Sequence, residues 1–440
     1  MTTASSYLFA LVDGGGTVPP ELGAVRRLVD RGHRVVVLAD DSMLDDVLAT
    51  GATVRPWAQA INRPTRGRDH DPLRDWQCRT PQELLDRLLD HVLAGPAPHY
   101  AADVIAAVDR NRPDRVVCSM FAVGAMVGAE ASGISYDVLM PNIYALPAPK
   151  LPTFGLGGQP AVGPVGRCRD QIVTAVAQRQ WNKGLGPING LRKSLGLSPL
   201  HDFWDQVRRA RKILVLTSRG FDFPAQLPDN VRYVGPVLDD PNWAKGRPWT
   251  LPSGGHPVAL VAMSTTFQDQ IDCLQRVIDA VATLPIRGIV TAGPALDPTT
   301  LYARANTIIE SAAPHSEVLK QASVVVTHGG HGTVVRALAA GVPLVVIPHG
   351  RDQADNAVRV TTRNAGVSIN RNAQPATIAA AVRRILDDPR YRQAAKKLGR
   401  SIRRDAASGA LVTELETASV VSQRPAPNRA DASVFGCGDE

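Results

Sequence analysis

The residues with the clearest chemistry lie between 323 and 353. The run Ser323-Val-Val-Val-Thr-His-Gly-Gly-His-Gly-Thr reads as a buried strand entering a glycine-rich turn that opens a helix. Such a turn presents free backbone N–H groups and the positive end of a helix dipole, which suits a diphosphate without a metal ion. Gly329, Gly330 and Gly332 permit close backbone approach, Thr333 adds a hydroxyl, and His328 adds a donor. After Gly341-Val-Pro a further strand ends at Pro348, so Asp352 and Gln353 fall at the same carboxyl edge of the sheet. A carboxylate beside an amide suits vicinal sugar hydroxyls. A glycine turn alone is weak, and a lone histidine there more often caps or fills the core. The combination at these offsets is what is specific.

A second glycine cluster, Gly14-Gly15-Gly16, follows the apolar run Tyr7–Asp13. It is an incomplete GxGxxG, so a nicotinamide dehydrogenase is a distant reading that leaves the 328–353 motif unexplained.

These residues need an α/β scaffold to hold them. Tyr7–Asp13 is expected as a strand, Pro20–Arg31 as an amphipathic helix ended by Gly32, and Arg34–Ala39 as the next strand. Further strands are expected at 115–119, 136–140 and 212–217. The alternation restarts after 256, with strands at 258–263, 287–291, 324–327 and 343–347 and helices at 270–283 and 334–340. Segments 57–80 and 141–168 are rich in Pro, Gly and Arg and read as binding loops. The expected division is a first domain over 1–237, a linker over 238–256 and a second domain over 257–390. The Pro-, Arg- and Ser-containing stretch 421–440 reads as a disordered tail.

The chain has 440 residues, 44% hydrophobic and 20% charged, which excludes a collagen, a coiled coil or wholesale disorder. No apolar run approaches the ~18 residues of a membrane span. The five cysteines are far apart and form no CxxC, so no disulfide framework or cysteine zinc site is expected, and the cytoplasm is the expected location. A net charge of +8 favours anionic partners, but no basic–aromatic motif points to nucleic acid. The basic run between Arg383 and Arg404 could touch an anionic membrane weakly, or be a solvated helix face.

From His328 to Gln353 the sequence resembles the donor signature of the family one glycosyltransferases, H-x-G-x-x-[ST]…G-V-P…P…D-Q. These are plant and bacterial natural-product enzymes and animal glucuronosyltransferases. Arg31-Gly-His-Arg-Val is similar to the family's R-G-H-x-V, and Ala262-Met263-Ser264-Thr265 stands where the family has S-L-G-[ST]. The resemblance implies a GT-B fold: two facing Rossmann-like domains, acceptor on the first and nucleotide sugar on the second. It also implies that helices at about 391–418 cross back onto the first domain. The implied activity is an inverting, metal-independent transfer of a hexose from a UDP- or dTDP-sugar to a hydrophobic small molecule or lipid. The implied donor residues are Ser264, Thr265, His328, Gly329, Gly330, Gly332, Thr333, Asp352 and Gln353. No cofactor beyond the nucleotide sugar is expected.

Four positions depart from the family. Arg336 stands where a Glu holds the ribose hydroxyls, which leaves dTDP-sugars open. The loop Ser311–His315 replaces a stacking Trp. Thr17, in Gly16-Thr-Val-Pro-Pro20, occupies the place of the catalytic histidine, and Ser119 that of its supporting aspartate. Asp13, at the end of the first strand, could serve as the base instead, with Thr17 orienting the acceptor. Other readings are His70 or Asp71 from the 57–80 loop, an acceptor acidic enough to need no strong base, or an Asp13 that only caps the turn. Asp69-His70-Asp71 as a metal site is a weaker reading than a solvated loop. Tyr144 and Phe154, in the proline-rich segment 141–154, could wall the acceptor pocket or cover the core. A nucleotide-sugar-binding protein that has lost its base is the rival from a different class.

Overall fold

The computed structural model describes residues 4–263 and 265–417; Ser264 and the expected tail at 421–440 lie outside them. Two parallel sheets form the scaffold. The first contains β1 (Ser6–Ala10), β2 (Arg34–Ala39), β3 (Thr53–Pro56), β4 (Arg115–Ser119), β5 (Tyr136–Met140), β6 (Lys212–Val215) and β7 (Val231–Tyr233), in the order β3-β2-β1-β4-β5-β6-β7. The second contains β8 (Val258–Ala262), β9 (Arg287–Thr291), β10 (Thr307–Glu310), β11 (Ala322–Thr327), β12 (Leu344–Val346) and β13 (Gly366–Ser368), in the order β10-β9-β8-β11-β12-β13.

The central strands are buried on both faces, as their unbroken runs of Val, Leu and Ile require. In both sheets the order reverses beside the central strand, between β1 and β4 and between β8 and β11. That is where a crevice opens beyond the carboxyl ends of the strands. The two glycine turns leave β1 and β11 at these points.

The expected strands and helices recur with shifted ends. β1 stops at Ala10, and Val12 to Gly16 turn away from the ladder. Segment 141–168 is irregular only to Val162; Gly163–Trp181 is a helix with no buried residue, so burial gave its sequence little periodic pattern to show.

The return to the first domain is made in two parts, later than expected. The helix Pro389–Ala406 packs on the helix His331–Ala339 of the second domain, where Gly399 lies so close to the Leu338 carbonyl that a side chain would collide. Only its end reaches across, Asp405 accepting from Ser218 Oγ at 2.6 Å. The helix Ala410–Glu416 then buries Leu411 and Leu415 against Phe9 and Val25 of the first domain. Glu416 accepts from Arg31 and pairs with His33 Nε2 at 2.9 Å, so the Arg31-Gly-His33 run serves as a fastening for this last helix.

A second fastening joins the domains below the crevice. Arg359, on the helix Gln353–Thr362, places its guanidinium 2.7 Å from Asp222 of the first domain, with side chains 3% and 0% exposed. Asp222 also accepts from Tyr144 N and Tyr233 Oη, and the guanidinium lies 4.4 Å over the Phe223 ring. Asp355, on the same helix, accepts from the backbone N–H groups of Gly155 and Gly157.

Candidate active site

The main crevice runs between the domains and is lined by both glycine turns. On the second-domain side it is built around the start of the helix His331–Ala339. Gly330 is the N-cap and has no side chain to cap the helix; the Asp352 carboxylate takes the His331 N–H, and the positive end of the helix faces the crevice. The glycines are required by packing. Gly329 has φ +98°, and a Cβ there would meet Val346 at 2.6 Å. A Cβ on Gly330 would meet the His328 ring at 2.6 Å, so this glycine gives the imidazole its place. His328, Gly330, Gly332 and Thr333 line the crevice, as does Thr265 of the loop after β8. Burial, then His349 nearby, pushes the His328 imidazole down to about 3, so it is neutral at physiological pH.

Asp352 and Gln353 both reach the crevice, but their roles differ. Gln353 Oε1 accepts from His349 N at 2.7 Å and Gly350 N at 3.1 Å, and its amide donates to Gln268 at 2.8 Å. Most of its hydrogen-bonding capacity is therefore spent on shaping the 347–353 loop. Asp352 lines the crevice and accepts from Asn356 Nδ2 at 2.9 Å through Oδ2 and from the His331 backbone N–H.

Arg336, in place of the family's Glu, donates to the Gly332 carbonyl at 3.0 Å and lies 3.7 Å from Asp240 of the linker. Beside it the linker inserts Pro241 and Trp243 into the crevice, opposite Ala313 and His315. Trp243 lies about 70 residues before the position where the family carries its aromatic residue, and the sequence gave no sign of it. Burial pushes His315 down to about 3; its ring lies 3.1 Å from Thr291 Oγ1.

The first-domain side carries an apolar patch beside polar groups such as Thr17, Arg63, Asp71 and Asn142. Leu84, Leu88, Val92, Phe121 and Phe154 line it. Tyr144 does not. It is buried in the first-domain core, so of the two expected acceptor-wall residues only Phe154 faces the crevice.

Asp13, expected as the base, lines the crevice with its carboxylate engaged by other side chains. Its side chain is 0% exposed and both oxygens are occupied: Oδ1 accepts from Gly15 N at 2.8 Å, and Oδ2 from Ser42 Oγ at 2.7 Å and Arg66 Nε at 2.8 Å. With both oxygens engaged, the carboxylate braces the turn. The 57–80 loop supplies that brace and also bridges the domains. Arg351 Nε donates to Asp75 at 2.7 Å, and Trp76 packs edge-on against Phe267. Asp71 lines the crevice between Arg63 and Arg351, 3.5 and 3.8 Å away, whereas His70 is exposed and pairs with Thr65.

Comparison with known proteins agrees with this architecture. Residues 275–418 match the model of the erythromycin biosynthesis protein CIII-like C-terminal domain. The chain is 28% identical over 405 residues to 4'-demethylrebeccamycin synthase of Lentzea aerocolonigenes, covering 89% of this chain and 94% of that one. It is 34% identical over 185 residues to human UDP-glucuronosyltransferase 3A1, covering 40% of this chain and 35% of the relative. In fold it is similar to the glycosyltransferase of kitacinnamycin (TM-score 0.74, 24% identity, 94% of this chain and 99% of that one). A further likeness in fold is to the glycosyltransferase VinC in complex with dTDP (TM-score 0.62, 17% identity, 93% and 99%). The fold is GT-B, two Rossmann-like domains. These likenesses support a glycosyltransferase enzyme of the bacterial natural-product, family one type.

Proposed function

We propose that the enzyme transfers a hexose, with inversion and without a metal ion, from a dTDP- or UDP-sugar to a hydrophobic small molecule or lipid. The observation that carries this reading is the glycine-capped start of the helix His331–Ala339, which opens into a crevice whose opposite wall carries an apolar patch. The helix N–H groups, with His328 and Thr333, receive the diphosphate. Asp352 holds the sugar hydroxyls. Trp243 walls the nucleobase, with Arg336 and Asp240 beside the ribose. The dTDP complex of VinC, a protein of similar fold, supports dTDP as one donor class. The aliphatic side chains of 84–92 with Phe121 and Phe154 favour a hydrophobic acceptor. The wide spacing of the cysteines favours the cytoplasm.

The test is calorimetric titration with dTDP and with UDP in EDTA. Binding should persist in the chelator at unchanged affinity, because backbone dipoles meet the phosphate charge. Loss of binding in EDTA, restored by Mg²⁺, would overturn the metal-independent part. Absence of binding under both conditions would overturn the donor site.

A further inference from the structure

One strap of the first domain, residues 65–78, walls the crevice and is anchored on the second domain. Asp71, Pro72 and Leu73 line the crevice, and the residues that follow make the anchor. Arg351 donates from Nε to Asp75 Oδ2 at 2.7 Å and from Nη1 to Thr266 Oγ1 at 2.9 Å. Trp76 meets the Phe267 ring edge-on at 5.0 Å and packs against the second-domain core. The Arg68 guanidinium lies 4.9 Å over the same Phe267 ring. Thr266 also touches the first glycine turn: a Cβ on Gly15, whose φ is +73°, would meet its Cγ2 at 2.4 Å.

The anchor is held under strain. Six non-glycine residues among those described have positive φ, and three of them form or flank this contact: Arg74 at +44°, Asp269 at +52° and Arg351 at +56°. Such backbone is unfavourable for a residue with a side chain, and it gathers at clamps and switch regions. Asp75 Oδ1 and Trp76 Nε1 are also buried without a hydrogen-bond partner among the described residues. A permanent brace satisfies its buried polar groups, as the Arg359–Asp222 pair does; a contact that opens and closes need not. Arg351 stands next to Asp352 in the chain, and both line the crevice. Burial disfavours the Arg351 charge, but the carboxylates of Asp75, Asp71 and Asp352 outweigh it, so the guanidinium stays a cation. After burial, that charge is among those that lower the His328 pKa, so Arg351 acts at the donor side as well as on the strap.

We propose that Arg351 is a positioning residue that latches the strap 65–78 over the crevice while a nucleotide sugar is bound. The inference rests on the function proposed above. A diphosphate at the start of the helix His331–Ala339 brings negative charge beside His328, within reach of the Arg351 guanidinium. That charge steadies the side chain and, with it, the bonds to Asp75 and Thr266. The latched strap completes the wall at Asp71, Pro72 and Leu73 and keeps bulk water from C1 of the sugar. Without the diphosphate the strained anchor opens more readily, and the buried Arg359–Asp222 pair keeps the domains joined.

The experiment is hydrogen–deuterium exchange of the full chain, read by peptide mass spectrometry, with and without saturating dTDP or UDP. It compares wild type, Asp75→Ala, Asp75→Asn and Arg351→Ala. In the wild type, the nucleotide should slow exchange about tenfold both at the helix start, 330–334, and across the strap, 68–77. In Asp75→Ala the helix start should still be protected by nucleotide and the strap should not. Arg351→Ala should likewise leave the strap insensitive to nucleotide. Asp75→Asn should recover part of the protection, because its amide oxygen can still accept from Arg351 Nε. With the latch gone, hydrolysis of dTDP-glucose or UDP-glucose by Asp75→Ala should rise about tenfold, since water reaches the sugar. A fixed structural bridge would show none of this response to nucleotide. A strap that ignores the nucleotide in a wild type protected at the helix start, or one still protected by it in Asp75→Ala, would overturn the latch and leave the function standing. A wild type protected at neither place would overturn the function itself.

Discussion

Arg359→Ala should lower the stability of the protein by about 3–5 kcal/mol, the usual cost of removing one partner of a buried ion pair. The guanidinium and the Asp222 carboxylate are both essentially inaccessible to water, so solvent screening does not soften the loss. The carboxylate would keep its bonds from Tyr144 N, Phe223 N and Tyr233 Oη but lose the cation it pairs with. Because the pair crosses from one domain to the other, the effect should appear as reduced cooperativity between domains as well as a lower midpoint. Denaturant unfolding of Arg359→Ala, Asp222→Asn and the double variant provides the check. The double variant should lose clearly less than the sum of the singles, since the pair is removed as a unit. Single losses below about 1 kcal/mol would show that the pair contributes little.

His328→Ala should weaken binding of dTDP or UDP by about 1.5–3 kcal/mol, the range for hydrogen bonds to a charged group and equivalent to roughly ten- to a hundredfold. Burial keeps the ring neutral, so the expected contribution is a directed N–H bond rather than an ion pair. The ring is held in place by the missing side chain of Gly330. Gly330→Ala should therefore weaken binding in the same direction, by displacing the imidazole instead of deleting it. Titration of the folded variants measures both, and wild-type affinity in His328→Ala would remove this histidine from the diphosphate site.

The features visible in the sequence are those whose chemistry is local. The turn after β11 announces itself because a run of valines meets three glycines within ten residues, and Gly330 is demanded by its near neighbour His328, though Gly329 answers to Val346 on the adjoining strand. The role of Asp13 was not visible because its partners, Ser42 and Arg66, lie 29 and 53 residues away. Gln353 has the same problem: the amide it donates to, Gln268, is 85 residues distant. Trp243 sits in a segment that reads as a linker, and only the closure of the two domains brings it to the crevice. Tyr144 looked like a wall residue because prolines flank it, but the Asp222 carboxylate holds its backbone N–H inside the core. Helix Gly163–Trp181 buries no side chain, so hydrophobic periodicity had nothing to record.

The most direct test of the central claim is to follow the sugar. Incubating the enzyme in EDTA with dTDP-α-D-glucose or UDP-α-D-glucose and p-nitrophenol, and recording the anomeric proton by NMR from the first turnovers, reads transfer and stereochemistry together. Direct attack by the acceptor opposite a diphosphate seated on the helix His331–Ala339 predicts a β-glucoside and release of the nucleoside diphosphate without added metal. An α-glucoside, or donors left intact by an enzyme that binds them, would contradict it.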